Sequence, residues 1–227
     1  MKQIFNGQYP ELVLFDLDGT LIDSVPDLAA AVDTMLVALE REPVGVEHVR
    51  HWVGNGAPML VKRALTGEQE PDERALDEAL FEQAFALFMD AYGNNAAHSS
   101  ELYPGVIDCL EGLQSQGVRM GLVTNKPIRF THPLLDEFGL SGFFDVVLGG
   151  DSLPMKKPDP GQLLHAMQEL GVKPENTLMV GDSRNDIGAA KAAGCPVVAV
   201  PYGYNHGEPV EQSQPDLIVD QLDQLVC

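Results

Sequence analysis

Short runs of consecutive apolar residues alternate with amphipathic stretches along the C-terminal two-thirds of the chain. Four of these runs are predicted strands, at residues 119–124, 145–149, 177–182 and 195–200. Stretches with helical spacing fall between them, for example at Gly161–Leu170 and at residues 185–193. Apolar strands that alternate with helices are typical of a parallel sheet covered on both faces. The pattern therefore predicts an α/β fold whose core is a doubly wound, Rossmann-like parallel sheet.

A fifth apolar run, residues 12–16, is followed by a long stretch in which helical spacing replaces this alternation. Two helices are predicted there, and the second follows Pro71. Their apolar stripes are Leu28, Val32, Met35, Leu36 and Leu39 in the first helix, and Leu76, Leu80, Phe85, Phe88 and Tyr92 in the second. We interpret both stripes as faces that pack into a core.

The boundaries of this helical unit are predicted from local signals. Ser24 and Asp27 have the spacing of a capping box, and Pro26 falls in the first predicted turn. Residues 93–100 are rich in small and polar residues, which indicates a linker. We therefore expect an all-helical domain of residues 25–100, inserted into an α/β core made of residues 1–24 and 101–227.

The charge balance excludes several classes of partner. The 227 residues include 14 Lys and Arg against 34 Asp and Glu, for a net charge of −20. Nucleic acids and acidic membranes bind basic surfaces, so neither is an expected partner. An anionic substrate would need local positive charge, and a metal ion is one source.

The expected compartment is the cytoplasm. The N-terminus lacks the pattern of a signal peptide, and no apolar run approaches the roughly 18–20 residues of a membrane helix. The three cysteines, Cys109, Cys195 and Cys227, have no paired or zinc-type spacing. We therefore expect reduced thiols rather than disulfides.

Two carboxylates directly follow the first apolar run. Asp16 and Asp18 are two residues apart, and Gly19 comes next. A divalent cation relieves the repulsion within such a pair, since hard cations prefer carboxylate oxygens. A turn that uses Asp and Gly for their backbone preferences explains the same residues, so this motif alone does not decide.

Three further polar groups lie at the predicted ends of strands or directly before a helix. They are Thr124 with Asn125, Lys156 with Lys157, and Asp182 with Asp186. Each has an ordinary structural explanation: a polar strand end, a surface patch and a helix N-cap. Because ligands of parallel α/β sheets bind at the carboxyl ends of the strands, their joint placement favours one site. An acidic cluster with a lysine and a hydroxyl is suited to phosphoryl transfer.

The motifs Asp16-x-Asp18-x-Thr20, Thr124, Lys157 and Gly181-Asp182-x3-Asp186 resemble, in this order, those of the haloacid dehalogenase superfamily. The resemblance spans nearly the whole chain, and the inserted helices are similar to the superfamily's helical cap. Residues 15–26 and 51–56 look most like the bacterial phosphoglycolate phosphatases. This resemblance implies hydrolysis of 2-phosphoglycolate to glycolate and phosphate, a reaction that belongs to carbohydrate metabolism.

The resemblance also implies catalytic roles. Asp16 is the expected nucleophile, which forms an aspartyl phosphate. Asp18 is the expected general acid and base. Thr124 and Lys157 are expected to bind phosphoryl oxygens, and Lys157 is preferred to Lys156 because the superfamily's lysine commonly precedes a proline.

The implied cofactor is Mg2+. Its expected ligands are the side chains of Asp16 and Asp182 and the backbone carbonyl of Asp18. Asp186 is expected to act through water or to orient these ligands. An acid at position 18 distinguishes this chain from the superfamily's dehalogenases, which lack one because a halide needs no proton. Asp18 therefore indicates cleavage of a phosphate ester or anhydride.

A basic segment of the predicted cap suggests how a substrate is recognised. Residues 48–67 contain no Asp or Glu and carry a local charge of +3 from Arg50, Lys62 and Arg63. A solvated basic patch would explain this equally simply. We predict instead that the segment closes over the sheet and that Arg50 binds a small anionic leaving group. The other residues expected to contact substrate are Gly54, Asn55, Gly56, Thr20 and Asn125.

Alternative functions remain at this point. The same scaffold could serve another small phosphorylated metabolite, pyrophosphate, or a sugar-phosphate mutase. A phospho-aspartate signalling receiver combines similar residues, but receivers are about half as long and lack an inserted cap. The expected partner is therefore a small anionic phosphorylated metabolite, with neither nucleic acid nor membrane, and the expected assembly is a monomer or a homodimer.

Overall fold

The structure is a computed structural model that describes residues 1–95 and 97–226. The strands are β1 (Leu12–Phe15), β2 (Ile22–Asp23), β3 (Glu101–Leu102), β4 (Arg119–Val123), β5 (Val146–Leu148), β6 (Thr177–Gly181), β7 (Val197–Ala199) and β8 (Leu217–Ile218). The helices are α1 (Val25–Ala38), α2 (Gly45–Trp52), α3 (Ala57–Thr66), α4 (Glu78–Asn95), α5 (Val106–Ser115), α6 (Ile128–Glu137), α7 (Gly161–Leu170) and α8 (Arg184–Ala193). Within the described ranges, no helix has both the length and the apolar character needed to cross a membrane.

Strand β1 lies inside a sheet with the order β5-β4-β1-β6-β7-β8. It pairs with β4 on one side and with β6 on the other, and every neighbouring pair in this sheet is parallel. The carboxyl ends of β1, β4 and β6 therefore meet at one edge of the sheet. The predicted α/β fold with a doubly wound parallel sheet is confirmed.

Helices cover both faces of the sheet. Val13 and Phe15 of β1 pack in one hydrophobic core with α5 and α6. Leu12 and Leu14 pack in a second core with α7 and α8. All four side chains are fully buried. This burial on both faces explains why successive residues of β1 are apolar.

Helices α1 to α4 pack together between β2 and β3. α1 contacts both α2 and α4, and the stripe residues Val32, Leu36, Phe88 and Tyr92 share one core. β2 and β3 form an antiparallel ribbon, so the chain enters and leaves the helical unit at one place. The division into a domain of residues 25–100 and an α/β core stays a prediction.

The predicted capping box at the start of α1 is wrong. Ser24 precedes the helix, but its hydroxyl makes no capping hydrogen bond and instead donates to Asp18 Oδ1 at 2.5 Å. Asp27 accepts hydrogen bonds from the backbone N–H groups of Ser99 and Ser100. The two side chains are therefore used for tertiary contacts, which sequence spacing does not reveal. Asp27 ties the end of the helical unit to its beginning.

Two other predictions fall partly outside the described residues. The predicted linker of residues 93–100 starts too early, because α4 continues through Asn95; Ala96 lies outside the described residues. Cys109 and Cys195 are free and buried, as expected for reduced thiols, and Cys227 again lies outside the described residues.

Candidate active site

The carboxyl-terminal edge of the sheet brings the predicted catalytic residues together. Asp16 follows β1, Thr124 follows β4 and Asp182 follows β6, so the parallel pairing places them side by side. Asp16, Thr124, Lys157 and Asp186 line one cavity between the sheet and the helical unit. Each of these side chains is buried.

Lys157 provides the positive charge next to two of the buried acids, Asp16 and Asp186. Its Nζ is 2.8 Å from Asp16 Oδ1 and 2.7 Å from Asp186 Oδ1, and it donates to the carbonyl of Val123 at 2.7 Å. Burial opposes the charge, but the two carboxylates raise the pKa of Lys157 above its usual value. The lysine therefore remains an ammonium. Lys156 instead donates to the carbonyl of Asn55, away from these acids.

Three buried carboxylates form a cluster suited to a metal ion. Ligand oxygens of Asp16, Asp182 and Asp186 all lie within 4.8 Å of one another. Burial raises the pKa of Asp16 to about 6, even with the Lys157 ammonium beside it. Burial and the neighbouring carboxylates also raise the pKa of Asp182 well above its usual range. One ammonium does not balance three buried acids, so the cluster favours a further cation.

Asp182 is held rigidly from both sides. Its Oδ1 accepts a hydrogen bond from the Thr20 hydroxyl at 3.0 Å, and its Oδ2 accepts one from the Tyr204 N–H at 2.5 Å. Gly19 and Gly203 pack so closely that a Cβ on either would lie 2.3 Å from Asp182 Oδ2. Thr20 is therefore not placed as a substrate contact; the fully buried hydroxyl orients a carboxylate instead.

Asp186 has every carboxylate oxygen occupied by donors from the protein. Its Oδ2 accepts hydrogen bonds from the backbone N–H groups of Asp182 and Ser183 and from the Ser183 hydroxyl, and its Oδ1 faces Lys157. The contacts with Ser183 form the capping box of α8. Asp186 is thus both a helix cap and a support for its neighbours, so the two explanations of this motif are compatible.

Asp18 has two neighbours that the sequence analysis did not connect with it. The Lys126 Nζ lies 3.0 Å from Asp18 Oδ1 and 3.3 Å from Oδ2, and the Ser24 hydroxyl donates to Oδ1. Lys126 is 5% exposed and lines the cavity. A basic residue directly after the polar pair Thr124 and Asn125, in a very acidic chain, was the signal available for finding it.

Thr124 and Asn125 differ in whether their hydrogen-bond donors are free for a substrate. The Thr124 hydroxyl accepts a hydrogen bond from the Lys126 N–H at 3.2 Å and keeps its own proton to donate into the cavity. Asn125 Nδ2 donates to the carbonyls of Gly54 and Lys157, at 2.9 Å each. The amide donors of Asn125 are therefore committed to joining the helical unit to the sheet, and the structure does not offer them to a substrate.

The predicted glycine loop is docked on this edge of the sheet. Gly54 and Gly56 line the cavity with positive φ angles of 118° and 85°. The carbonyl of Gly54 accepts from Asn125 and Asn185, and the carbonyl of Asn55 accepts from Lys156. Asn55 contributes its backbone to this docking, whereas the cavity wall is formed by the two glycines.

The three cations of the basic segment, Arg50, Lys62 and Arg63, are not among the described residues that line this cavity, so the structure does not place Arg50 there. Arg50 lies 3.3 Å from Asp23 and over the Tyr204 ring, in a second cleft that Asp182 also lines. Lys62 pairs with Glu73, while Arg63 donates to backbone carbonyls, including that of Trp52 at 2.6 Å. The acids that pair with Arg50 and Lys62 lie outside residues 48–67, so a charge count over that window misses them.

Comparison with known proteins identifies the family. The family model described as haloacid dehalogenase-like hydrolase matches residues 10–194. A protein named phosphoglycolate phosphatase from Pseudomonas putida strain KT2440 is 58% identical over 97% of this chain and 80% of its own length. One named phosphoglycolate phosphatase 1 from Pseudomonas aeruginosa is 54% identical over 100% of this chain and 82% of its own length.

Solved structures agree with these relatives. A crystal structure of a predicted phosphoglycolate phosphatase from Haemophilus somnus has a TM-score of 0.89 and 41% identity, covering 95% of this chain and 96% of that one. The crystal structure of CbbY from Rhodobacter sphaeroides in complex with phosphate has a TM-score of 0.77 and 26% identity, covering 95% and 96% of the two chains. With the family model matching most of its length, the chain belongs to the haloacid dehalogenase-like hydrolase family.

Proposed function

We propose that this protein is a Mg2+-dependent phosphatase that hydrolyses 2-phosphoglycolate to glycolate and phosphate. The observation that carries the proposal is the position of Asp16, a buried carboxylate 2.8 Å from the Lys157 ammonium and clustered with Asp182 and Asp186. The names of the relatives at 54–58% identity support the choice of substrate.

The donor set fits Mg2+. The three clustered groups are carboxylates, and hard oxygen donors are what this ion prefers. Asp16 and Asp182 would hold the ion together with the backbone carbonyl of Asp18. Asp186 would orient its neighbours, because its Oδ2 already accepts three hydrogen bonds and its Oδ1 pairs with Lys157, whereas each oxygen of Asp182 accepts one. When bound, the ion supplies positive charge that polarises the phosphoryl oxygens.

Asp16 serves as the nucleophile. One of its oxygens bonds to phosphorus as the bond between phosphorus and the ester oxygen breaks, which gives an aspartyl phosphate and an alkoxide. The Thr124 hydroxyl donates to a phosphoryl oxygen, and the Lys157 ammonium offsets the phosphoryl charge and donates to a phosphoryl oxygen in place of its contact with Asp16. Water then attacks phosphorus, phosphate leaves, and the Asp16 carboxylate is regenerated.

Asp18 moves the protons. It gives its proton to the departing alkoxide, which yields glycolate, and then takes a proton from the attacking water. Ser24 and Lys126 contact its carboxyl group and fix its direction. A phosphate ester of an aliphatic alcohol needs this acid, because its leaving group is strongly basic.

The helical unit would act as a cap that admits only small substrates. The Gly54 carbonyl is bonded to Asn125 and Asn185, so the loop sits directly on the edge of the sheet. A Cβ on Gly56 would lie 3.1 Å from the carbonyl oxygen of Asn125, which shows how close the two surfaces are. The loop therefore closes one side of the cavity, which favours a small leaving group such as glycolate.

A phosphate-release screen tests the proposal. The panel contains 2-phosphoglycolate, other small phosphate esters, hexose phosphates and pyrophosphate, with Mg2+ and with EDTA. We expect the highest kcat/KM for 2-phosphoglycolate and no turnover in EDTA. The Asp16→Asn variant controls for contaminating phosphatases. A clear preference for another compound, or sugar-phosphate isomerisation that requires a bisphosphate, would contradict the assignment.

A further inference from the structure

The cavity contains two cations among the described residues that line it, Lys126 and Lys157. Lys157 is committed to Asp16, Asp186 and the phosphoryl group, as argued above. A substrate with a second negative charge therefore needs another partner. Arg50, which the sequence favoured for this role, does not line this cavity; it pairs with Asp23 in a second cleft, on the side of Asp182.

Lys126 is placed to supply that charge. Its Nζ contacts Asp18 at 3.0 and 3.3 Å and lies 4.7 Å from the centroid of the Tyr92 ring. An ammonium has three N–H donors, and one carboxylate does not occupy all of them. Lys126 can therefore hold Asp18 and still bind a second anion in the cavity.

Tyr92 offers a second donor next to this lysine. Its side chain is 1% exposed and lines the cavity, and its hydroxyl oxygen interacts with the Lys126 ammonium and has no further hydrogen-bond partner within the described chain. The cap surface around it is apolar and consists of Leu28, Val53, Ala57, Leu60 and Phe88. Because an ammonium can only donate to the Tyr92 oxygen, the buried hydroxyl proton still lacks an acceptor, and a ligand that accepts it would remove this unfavourable free energy.

We propose that Lys126 and Tyr92 form the subsite that binds the carboxylate of the substrate and selects a phosphorylated 2-hydroxy acid. This inference rests on the proposed function and names its specificity-determining residues. Asp18 must reach the ester oxygen, and in 2-phosphoglycolate one methylene separates that oxygen from the carboxyl carbon. A lysine in contact with Asp18 is thus within reach of the carboxylate of the same substrate.

The subsite is tested by comparing two substrates that differ only at its position. Ethyl phosphate has a methyl group where 2-phosphoglycolate has the carboxylate. In Lys126→Met, the ratio of kcat/KM for 2-phosphoglycolate to that for ethyl phosphate should fall about 30-fold or more, as for loss of one partner of a buried charge pair. A lysine that only positions Asp18 would lower both values by the same factor and leave the ratio unchanged.

Tyr92→Phe removes a single hydroxyl that does not contact Asp18. We expect the same ratio to fall about tenfold, the scale of a hydrogen bond to a charged group. Lys62→Met is the matched control, since it removes a cap lysine that pairs with Glu73 outside the cavity, and its ratio should be unchanged. Circular dichroism melts show that each variant is folded.

The outcomes separate the subsite from the proposed function. If the wild-type enzyme hydrolyses 2-phosphoglycolate no better than ethyl phosphate, the assigned substrate is wrong and the subsite falls with it. If the wild type strongly prefers 2-phosphoglycolate but both Lys126→Met and Tyr92→Phe keep that preference, the function stands and the subsite is overturned. A fall of the ratio in Tyr92→Phe supports the subsite even if Lys126→Met does not fold.

Discussion

Replacing Lys157 by Met tests the charge balance of the candidate site most directly. The ammonium is almost fully buried, lies 2.8 Å from Asp16 and 2.7 Å from Asp186, and also donates to the Val123 carbonyl. Methionine fills a similar volume but leaves both carboxylates without their counter-charge. Removing one partner of a buried ion pair costs about 3–5 kcal/mol of unfolding free energy.

The magnitude is large enough to measure without ambiguity. For a chain of this size, each kcal/mol of lost stability lowers the melting temperature by about 2–4 °C. In EDTA, Lys157→Met should therefore melt roughly 6–20 °C below the wild type. Urea unfolding followed by circular dichroism gives the free energy itself. Mg2+ at a hundredfold excess over its Kd would return about 2.7 kcal/mol, because it binds the same carboxylates in the folded state.

Lys156→Met is the matched control. Lys156 is the adjacent residue, and its Nζ donates to one carbonyl, that of Asn55. Its loss should cost about 1 kcal/mol or less, the contribution of an ordinary hydrogen bond. Equal unfolding free energies for the two variants in EDTA would refute the reasoning, since they would mean that the buried acids do not depend on Lys157.

Four further outcomes are expected. Asp16→Asn should remain folded but lose roughly 10⁶-fold in kcat, the scale for removing an enzyme's nucleophile, and phosphate-release assays over hours at high enzyme concentration would measure any residual turnover. Asp18→Asn should lose about 10²–10⁴-fold with an alkyl ester and far less with an aryl ester of low leaving-group pKa; equal losses would contradict its role as the acid. Asp182→Ala should weaken Mg2+ binding more than Asp186→Ala in a calorimetric titration, and the reverse order would exchange their assigned roles. In EDTA, burial raises the pKa of Asp16 to about 6, so the folded state binds this proton more tightly than the unfolded chain does. Through this group the free energy of unfolding should fall by roughly 2–3 kcal/mol as the pH rises from about 4 to about 6, and Asp16→Asn should lack this contribution when urea titrations of the two proteins are compared over that range.

The sheet and the position of the catalytic acids were predictable from the sequence for a physical reason. A strand such as β1, which is buried on both faces, is apolar at every residue. The first polar residue after it, Asp16, therefore marks the end of the strand in the sequence. Parallel pairing then brings the ends of β1, β4 and β6 together without further information. The apolar pattern of the strands and the rules of parallel pairing were therefore sufficient to predict the fold.

The partners of individual side chains were not predictable. Ser24 and Asp27 have the spacing of a capping box, yet they bind Asp18 and the Ser99 and Ser100 backbone, respectively, because the ends of the helical unit meet in space. The sequence predicted that Arg50 binds substrate, but in the structure Arg50 forms an ion pair with Asp23. Such contacts depend on three-dimensional proximity, which local periodicity and charge counts do not contain.

The β2–β3 ribbon also affects how the chain can fold. β1 and β4 are neighbours in the sheet, although about a hundred residues separate them along the chain. Once Ile22 pairs with Leu102, only residues 16–21 and 103–118 connect the two strands. Shortening the effective loop roughly fourfold lowers its closure entropy cost by about 1.2 kcal/mol. With the ribbon formed, the helical unit no longer lies in the loop between β1 and β4. The effective contact order of the sheet is then that of a much shorter protein.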